Sequence, residues 1–168
     1  MYLQARLAWL ESQFLDFVQV NQTIKNGVTF TSEVQNTGNP LLNSPRYKVS
    51  ITGEQTIQLG RYGAITGRYD GVWTDDTFYD ATGGKGVPNI QNQQFLPEGT
   101  IAQNAYWLHN LRLSWRAPGG RVEVAGWIRN LEDQAYKTFA FDASTFQQTT
   151  IYFVGDPRTY GVTLIVNF

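Results

Sequence analysis

Tyr47-Lys48-Val49-Ser50-Ile51-Thr52-Gly53-Glu54-Gln55-Thr56-Ile57-Gln58-Leu59 alternates without a break. Its odd positions are apolar apart from Gln55, and its even positions are all polar. Successive side chains of a strand point to opposite faces, so this segment makes a ribbon greasy on one side and wet on the other. The same period runs through Ala64–Trp73, where Ile65, Tyr69 and Trp73 oppose Thr66, Arg68 and Asp70. In Tyr106–Ala117 it sets Trp107, Leu111, Leu113 and Trp115 against Asn110, Arg112, Ser114 and Arg116. Arg121–Asn130 opposes Val122, Val124 and Ile128 to Arg121, Glu123, Trp127 and Arg129. Thr159–Phe168 and, less cleanly, Leu3–Ser12 complete six expected strands.

The connections carry equal information. Gly60-Arg61-Tyr62-Gly63 and Pro118-Gly119-Gly120 are tight turns, whereas residues 13–45, 80–105 and 132–157 are long polar segments. Three loops beyond about 15 residues are unusual in a compact soluble domain. Short turns on one side and long loops on the other are the habit of transmembrane β-barrels. About 11 residues at ~3.3 Å, tilted by ~45°, climb roughly 25 Å, the height of such a barrel's apolar band.

Charge placement agrees. Arg6, Lys48, Glu54, Arg68, Asp70, Arg112, Arg116, Arg121, Glu123 and Arg129 all fall on the polar stripe. An arginine on the lipid side near the midplane would cost ~2–4 kcal/mol, against ~0–1 near the interfaces. The exceptions Glu11, Asp75, Glu132 and Arg158 sit at loop-side ends. Trp9, Tyr47, Trp73, Trp107, Trp115, Tyr160 and Phe168 gather near strand ends, as interfacial aromatic girdles do. The expected fold is therefore all-β: an antiparallel up-and-down meander of about six long strands, part of a larger transmembrane β-barrel.

Composition narrows the function classes. The 168 residues contain no Cys and one His, and 13 basic side chains face 14 acidic ones. Disulfide scaffolds, thiol nucleophiles and Cys-based zinc sites are excluded, and near-neutral charge argues against a nucleic-acid partner. No cofactor and no metal site are expected. No stretch approaches the ~20 apolar residues of a membrane-spanning helix.

The end of the chain is specific enough to carry a resemblance. Gly155-Asp156-Pro157-Arg158-Thr159-Tyr160-Gly161-Val162, running to Phe168, resembles the last strand of TonB-dependent outer-membrane receptors. Asn130-Leu131-Glu132-Asp133-Gln134-Ala135-Tyr136 is similar to that family's NLxDxxY motif, and Asn43-Ser44-Pro45-Arg46-Tyr47 to its lead-in to an earlier strand. The resemblance implies a 22-stranded barrel closed by an N-terminal plug, reached by the TonB system and preceded by a signal peptide. On that basis residues 1–168 are expected to be the C-terminal portion of such a barrel, in a Gram-negative cell outer membrane. The implied activity is nutrient uptake of a siderophore-, sugar- or cofactor-like ligand, not catalysis. Implied partners are outer-membrane lipid, the rest of the barrel and plug, and the barrel-assembly machinery. The machinery would read Tyr160, Val162, Leu164, Val166 and Phe168 as an assembly signal, although any last strand with a greasy face has this look.

Within the lumen, Arg6, Lys48, Arg68, Arg112, Arg116 and Arg129 are candidate contacts for an anionic ligand or for the plug. The long segments hold Phe14, Phe17, Phe30, Phe95, Tyr136, Phe139, Phe141, Phe146, Tyr152 and Phe153, which either capture ligand or pack loop on loop. His109 reads as a strand-end residue. Asp75, Asp76 and Asp80 lack the Asp-x-Asp-x-Asp-Gly calcium pattern and read as solvated carboxylates. Gly83-Gly84-Lys85-Gly86 fails the phosphate-loop spacing, and the sequon Asn21-Gln22-Thr23 has no meaning in a bacterial barrel. The alternative from another class is a soluble β-domain that binds a ligand or partner through its aromatic loops.

Overall fold

A computed structural model describes residues 1–86, 96–143 and 149–168. Six strands form one antiparallel sheet: β1 (Tyr2–Trp9), β4 (Tyr47–Gln58), β5 (Ala64–Thr74), β8 (Tyr106–Arg116), β9 (Val122–Arg129) and β12 (Thr159–Val166). They lie in chain order, β1-β4-β5-β8-β9-β12, so the sheet is the meander that the alternation implies. The outer strands are shorter than the sequence suggests. β1 ends at Trp9 rather than Ser12 and β12 at Val166 rather than Phe168, while β4 keeps 12 residues. Single bonds prolong both ladders, Leu10 N–H to the Arg46 carbonyl at 2.9 Å and Asn167 N–H to that of Arg121 at 2.8 Å.

Register turns the sequence stripes into faces. Directly opposed residues share a face, and Glu54, Arg68, Arg112, Trp127 and Gly161 follow one another across β4 to β12 on a single rung. The neighbouring rung carries Leu3, Gly53, Tyr69, Leu111, Ile128 and Tyr160 on the other face. Both tight turns and both chain ends lie at one end of the sheet. At that end the Trp115 indole N–H donates to the Tyr62 carbonyl at 2.9 Å, tying the first turn to β8.

The sheet buries almost nothing. Of the buried apolar residues only Ala125 belongs to it, the others being Tyr79, Ile101, Ala102, Ala140 and Ala143. On the apolar face Leu7 is 70% exposed, Val162 76% and Leu164 64%, so among the described residues no second layer meets this stripe. Left to water, six such side chains (Leu3, Leu7, Trp9, Leu113, Val162, Leu164) would forgo on the order of 10 kcal/mol, comparable to a domain's whole net stability. That rules strongly for a hydrocarbon neighbour. β1 and β12 each pair on one side only, and six strands are too few to close a barrel, so the sheet is a section of a larger one.

The long segments are more ordered than their polarity suggests. The first and third contain a two-stranded ribbon, β2 (Val18–Lys25) with β3 (Val28–Gln35) and β10 (Lys137–Asp142) with β11 (Thr150–Val154), and the second is closed by one, β6 (Thr77–Phe78) just before it pairing with β7 (Ala102–Gln103) near its end. Asn26 and Gly27 join the first pair with φ of 52° and 75°, the two positive values a type I′ hairpin turn requires.

Candidate functional site

The polar face carries every charged side chain that the six strands hold in their interior. Asp70 is its best-connected acid. Arg68 donates to it from Nε at 2.8 Å and from Nη2 at 2.9 Å, and the Thr52 hydroxyl donates at 2.8 Å. Glu54 stands 3.7 Å from Arg68 on the other side. Towards the tight turns Glu123 accepts from Arg116 at 2.9 Å and more distantly from Arg112 at 3.4 Å. Pairs this open to solvent contribute ~0–1 kcal/mol each, so the lattice orients side chains more than it stabilises the sheet.

Of the six candidate cations, register brings together Arg68 and Arg112, directly opposed on β5 and β8. With Arg129 they border one hollow of about 450 Å³, shared with Asp70, Asn110 and Thr163. Arg116 lies lower, beside a second hollow of about 820 Å³ at the tight-turn end. Arg6 and Lys48 stand apart, opposite Ser50 and Thr74 respectively. Neither these two nor Arg129 has an ion pair among the described residues. One member of the upper hollow escaped the sequence reading. Trp127 lies on the wet face with the Arg129 guanidinium 5.3 Å from its ring centre.

On the opposite face Tyr160, Val162, Leu164 and Val166 line the outer surface of β12, and Phe168 follows beyond its end. His109 also lies on this face. Its Nδ1 is 2.8 Å from the Tyr69 hydroxyl, and its ring stacks on Trp107 at 5.3 Å, so it belongs to the aromatic girdle. Gln55, the one polar residue of its stripe, satisfies its amide on the Thr56 carbonyl at 3.1 Å.

Above the sheet the loops lock to one another. Tyr79 donates to the Lys137 carbonyl at 2.6 Å, and the Lys137 ammonium donates to the carbonyls of Gly99, Thr100 and Ala102 at 3.3, 3.0 and 2.7 Å. Burial pushes the Tyr79 phenol up to about 12 and holds the Lys137 ammonium below its ordinary value. Asn39 donates to the Ala81 carbonyl at 2.8 Å, joining the first loop to the second. The loop aromatics divide. Phe139 packs against Tyr79 and Phe153, and Tyr136 stacks on Tyr106 at 4.8 Å, whereas Phe141 and Tyr152 remain nearly half exposed. Phe14 meets Phe17 at 4.9 Å, and Phe30 projects from the first ribbon, 38% exposed. Phe95 and Phe146 lie outside the described residues.

Two sequence readings need amendment. The aspartates are not merely solvated: Asp80 accepts from the N–H groups of Gly84 at 2.6 Å and Gly86 at 2.8 Å, and Asp76 from Ala105 at 2.7 Å. Their lone pairs are spent on loop backbone, which also gives Gly83-Gly84-Lys85-Gly86 its role as a turn. No group of three metal-ligating side chains occurs among the described residues. Secondly, Asn130 is more than a strand end. It is 6% exposed with φ 51°, and its amide donates to the carbonyls of Gln134 and Asp156, both at 3.0 Å. Its Oδ1 accepts from Gln134 N–H at 2.8 Å, and Asp133 accepts from Arg158 N–H at 2.8 Å. The motif is thus a clasp closing the β9–β12 junction.

A meander with one hydrocarbon-ready face and one charged face is a section of membrane-barrel wall. Residues 3–131 match the family model of the TonB dependent receptor-like β-barrel, and the chain belongs to that family, whose members are outer-membrane receptors. Among solved structures it is similar to the ferric yersiniabactin uptake receptor FyuA from Yersinia pestis, with TM-score 0.62 and 20% identity over 84% of this chain and 20% of that one. It is also similar to the siderophore receptor PiuA from Acinetobacter baumannii, with TM-score 0.60 and 15% identity over 97% of this chain and 19% of that one. The chain thus spans about a fifth of the length of these receptors. No curated protein sequence matched it.

Proposed function

We propose that the chain is the C-terminal wall section, residues 1–168, of an outer-membrane TonB-dependent transporter. In this reading the apolar face meets outer-membrane lipid, the polar face lines the lumen beside the plug, and β1 and β12 pair with the remaining strands. The TonB system acts through the plug, and the barrel-assembly machinery reads the stripe from Tyr160 to Phe168. The cargo is a siderophore-, sugar- or cofactor-like nutrient, and the basic excess on the polar face favours an anionic one. The observation that carries this reading is the Leu7/Val162/Leu164 stripe, exposed opposite a face that holds the charges. A soluble domain binding through its loops would leave that stripe in water.

The absence of cysteine permits a clean topology test. Thr29→Cys, in the first ribbon, should react with an impermeant maleimide on intact cells. Arg61→Cys, in a tight turn, should react only after the outer membrane is opened. Equal labelling of both on intact cells, or full recovery in the soluble fraction without detergent, contradicts the proposal.

A further inference from the structure

The upper hollow of the polar face combines features that no ion-pair lattice needs. Trp127 is the one tryptophan on this face; Trp9, Trp73, Trp107 and Trp115 are all on the other. It lies flat against the wall because its cross-strand partner is Gly161, where a Cβ would come within 2.5 Å of the indole Cζ2. Arg129 stacks on the ring at 5.3 Å, a mode that leaves the in-plane N–H groups of a guanidinium available, and no carboxylate of the described residues pairs with it. Arg68 and Arg112 oppose each other directly across β5 and β8, an arrangement of like charges that destabilises a sheet. The hollow's own acid, Asp70, has both oxygens taken by Arg68, and Arg112 reaches only Glu123, at 3.4 Å. Three guanidiniums therefore border the space with a single committed carboxylate among them.

We propose that this hollow is a subsite for a flat organic anion, a carboxylate carried on an aromatic or conjugated ring. The carboxylate accepts from Arg129 and Arg112, and the ring lies along the Trp127 indole, whose position Gly161 makes room for. Asn110 and Thr163, at the rim, offer neutral hydrogen-bonding groups to further polar substituents. The site is at mid-wall: Asn110 is four residues below the outer end of β8, and the Arg68–Arg112–Trp127 rung is six below it and four above the tight-turn end. A solute descending from the loops passes it before the hollow at the tight turns. This inference rests on the barrel reading, since only there does the face border an aqueous lumen.

Calorimetric titration of the assembled barrel in detergent, with three probes, tests it. Benzoate should bind saturably and about tenfold more tightly than cyclohexanecarboxylate, which has the charge without the flat ring, or inorganic phosphate. Arg129→Gln should weaken benzoate about tenfold, and Gly161→Val comparably by dislodging the indole, while Arg61→Gln in the tight turn after β4 leaves it unchanged. Iodide quenching of Trp127 in a barrel with its other tryptophans replaced by Phe checks that the face is wet, and the β-sheet circular dichroism of each variant that it is folded. Absence of saturable benzoate binding to such a folded barrel, equal binding of all three probes, or indifference to both Arg129→Gln and Gly161→Val overturns the subsite alone. Quenching of Trp127 by brominated lipid instead of iodide would overturn the barrel reading beneath it.

Discussion

At the scale of single residues, Asn130 shows how one side chain can organise a strand end. Its left-handed φ and its two bonds with Gln134 are local, while its donation to the Asp156 carbonyl spans 26 residues and binds the start of the third loop to the residues that lead into β12. Asn130→Ala removes both donors, orphans a buried N–H and leaves a β-carbon residue at positive φ. The expected loss is roughly 3 kcal/mol of unfolding free energy in the refolded barrel, read from denaturant midpoints. Asn130→Asp keeps the acceptor and should lose about half as much. The sequence marked this position through its resemblance to a motif, but not the partners, because Gln134 and Asp156 meet it only once the loop has folded back. Trp127 escaped that reading. The alternation sets it on the wet stripe, where it is the one tryptophan of five, but its nearness to Arg68, Arg112 and Asn110 comes only from cross-strand register.

Among the elements, the six sheet strands were legible because each has one burial requirement per face, and register then follows from the alternation. Strand ends were not. β1 and β12, each paired on one side only, stop short of the alternation, and so does the interior strand β9, because alternation marks the faces of a strand and not where its ladder ends. The β2–β3 ribbon had readable signals in Asn26-Gly27 and in the alternation of each strand, but its register sets Val18, Val20 and Ile24 opposite Gln35, Glu33 and Thr29, so neither face of the ribbon is wholly apolar. β6–β7 and β10–β11 had no such signal. They are held by contacts between distant loops, above all the Tyr79–Lys137 lock. That lock titrates. Tyr79 keeps its proton in the closed loops up to about 12, whereas in opened loops it ionises near the ordinary value of about 10. Opened loops thus bind fewer protons in this window, and the closed arrangement loses stability as pH rises through it. Lys137, depressed, acts the other way, but only below its ordinary value of about 10.4, above which both states have shed the proton. Subtilisin cleavage within residues 96–143 should therefore accelerate several-fold from pH 9 to pH 11 in the native chain. Tyr79→Phe should show a markedly flatter dependence.

For the whole molecule the energetics invert those of a soluble protein. The buried apolar residues are almost all in the loops, and the sheet, which carries most of the regular structure, leaves both faces open. Its apolar face is stabilised by whatever solvates it, and its polar face by water. The five tryptophans divide four to one between these faces, which makes them reporters of that assignment. The direct measurement is fluorescence quenching of single-tryptophan barrels in vesicles containing brominated lipid, with aqueous iodide in parallel. Trp9, Trp73, Trp107 and Trp115 should each be quenched by the bromines and shielded from iodide, and Trp127 the reverse. Uniform iodide access at all five, or bromine quenching at Trp127, would contradict the account.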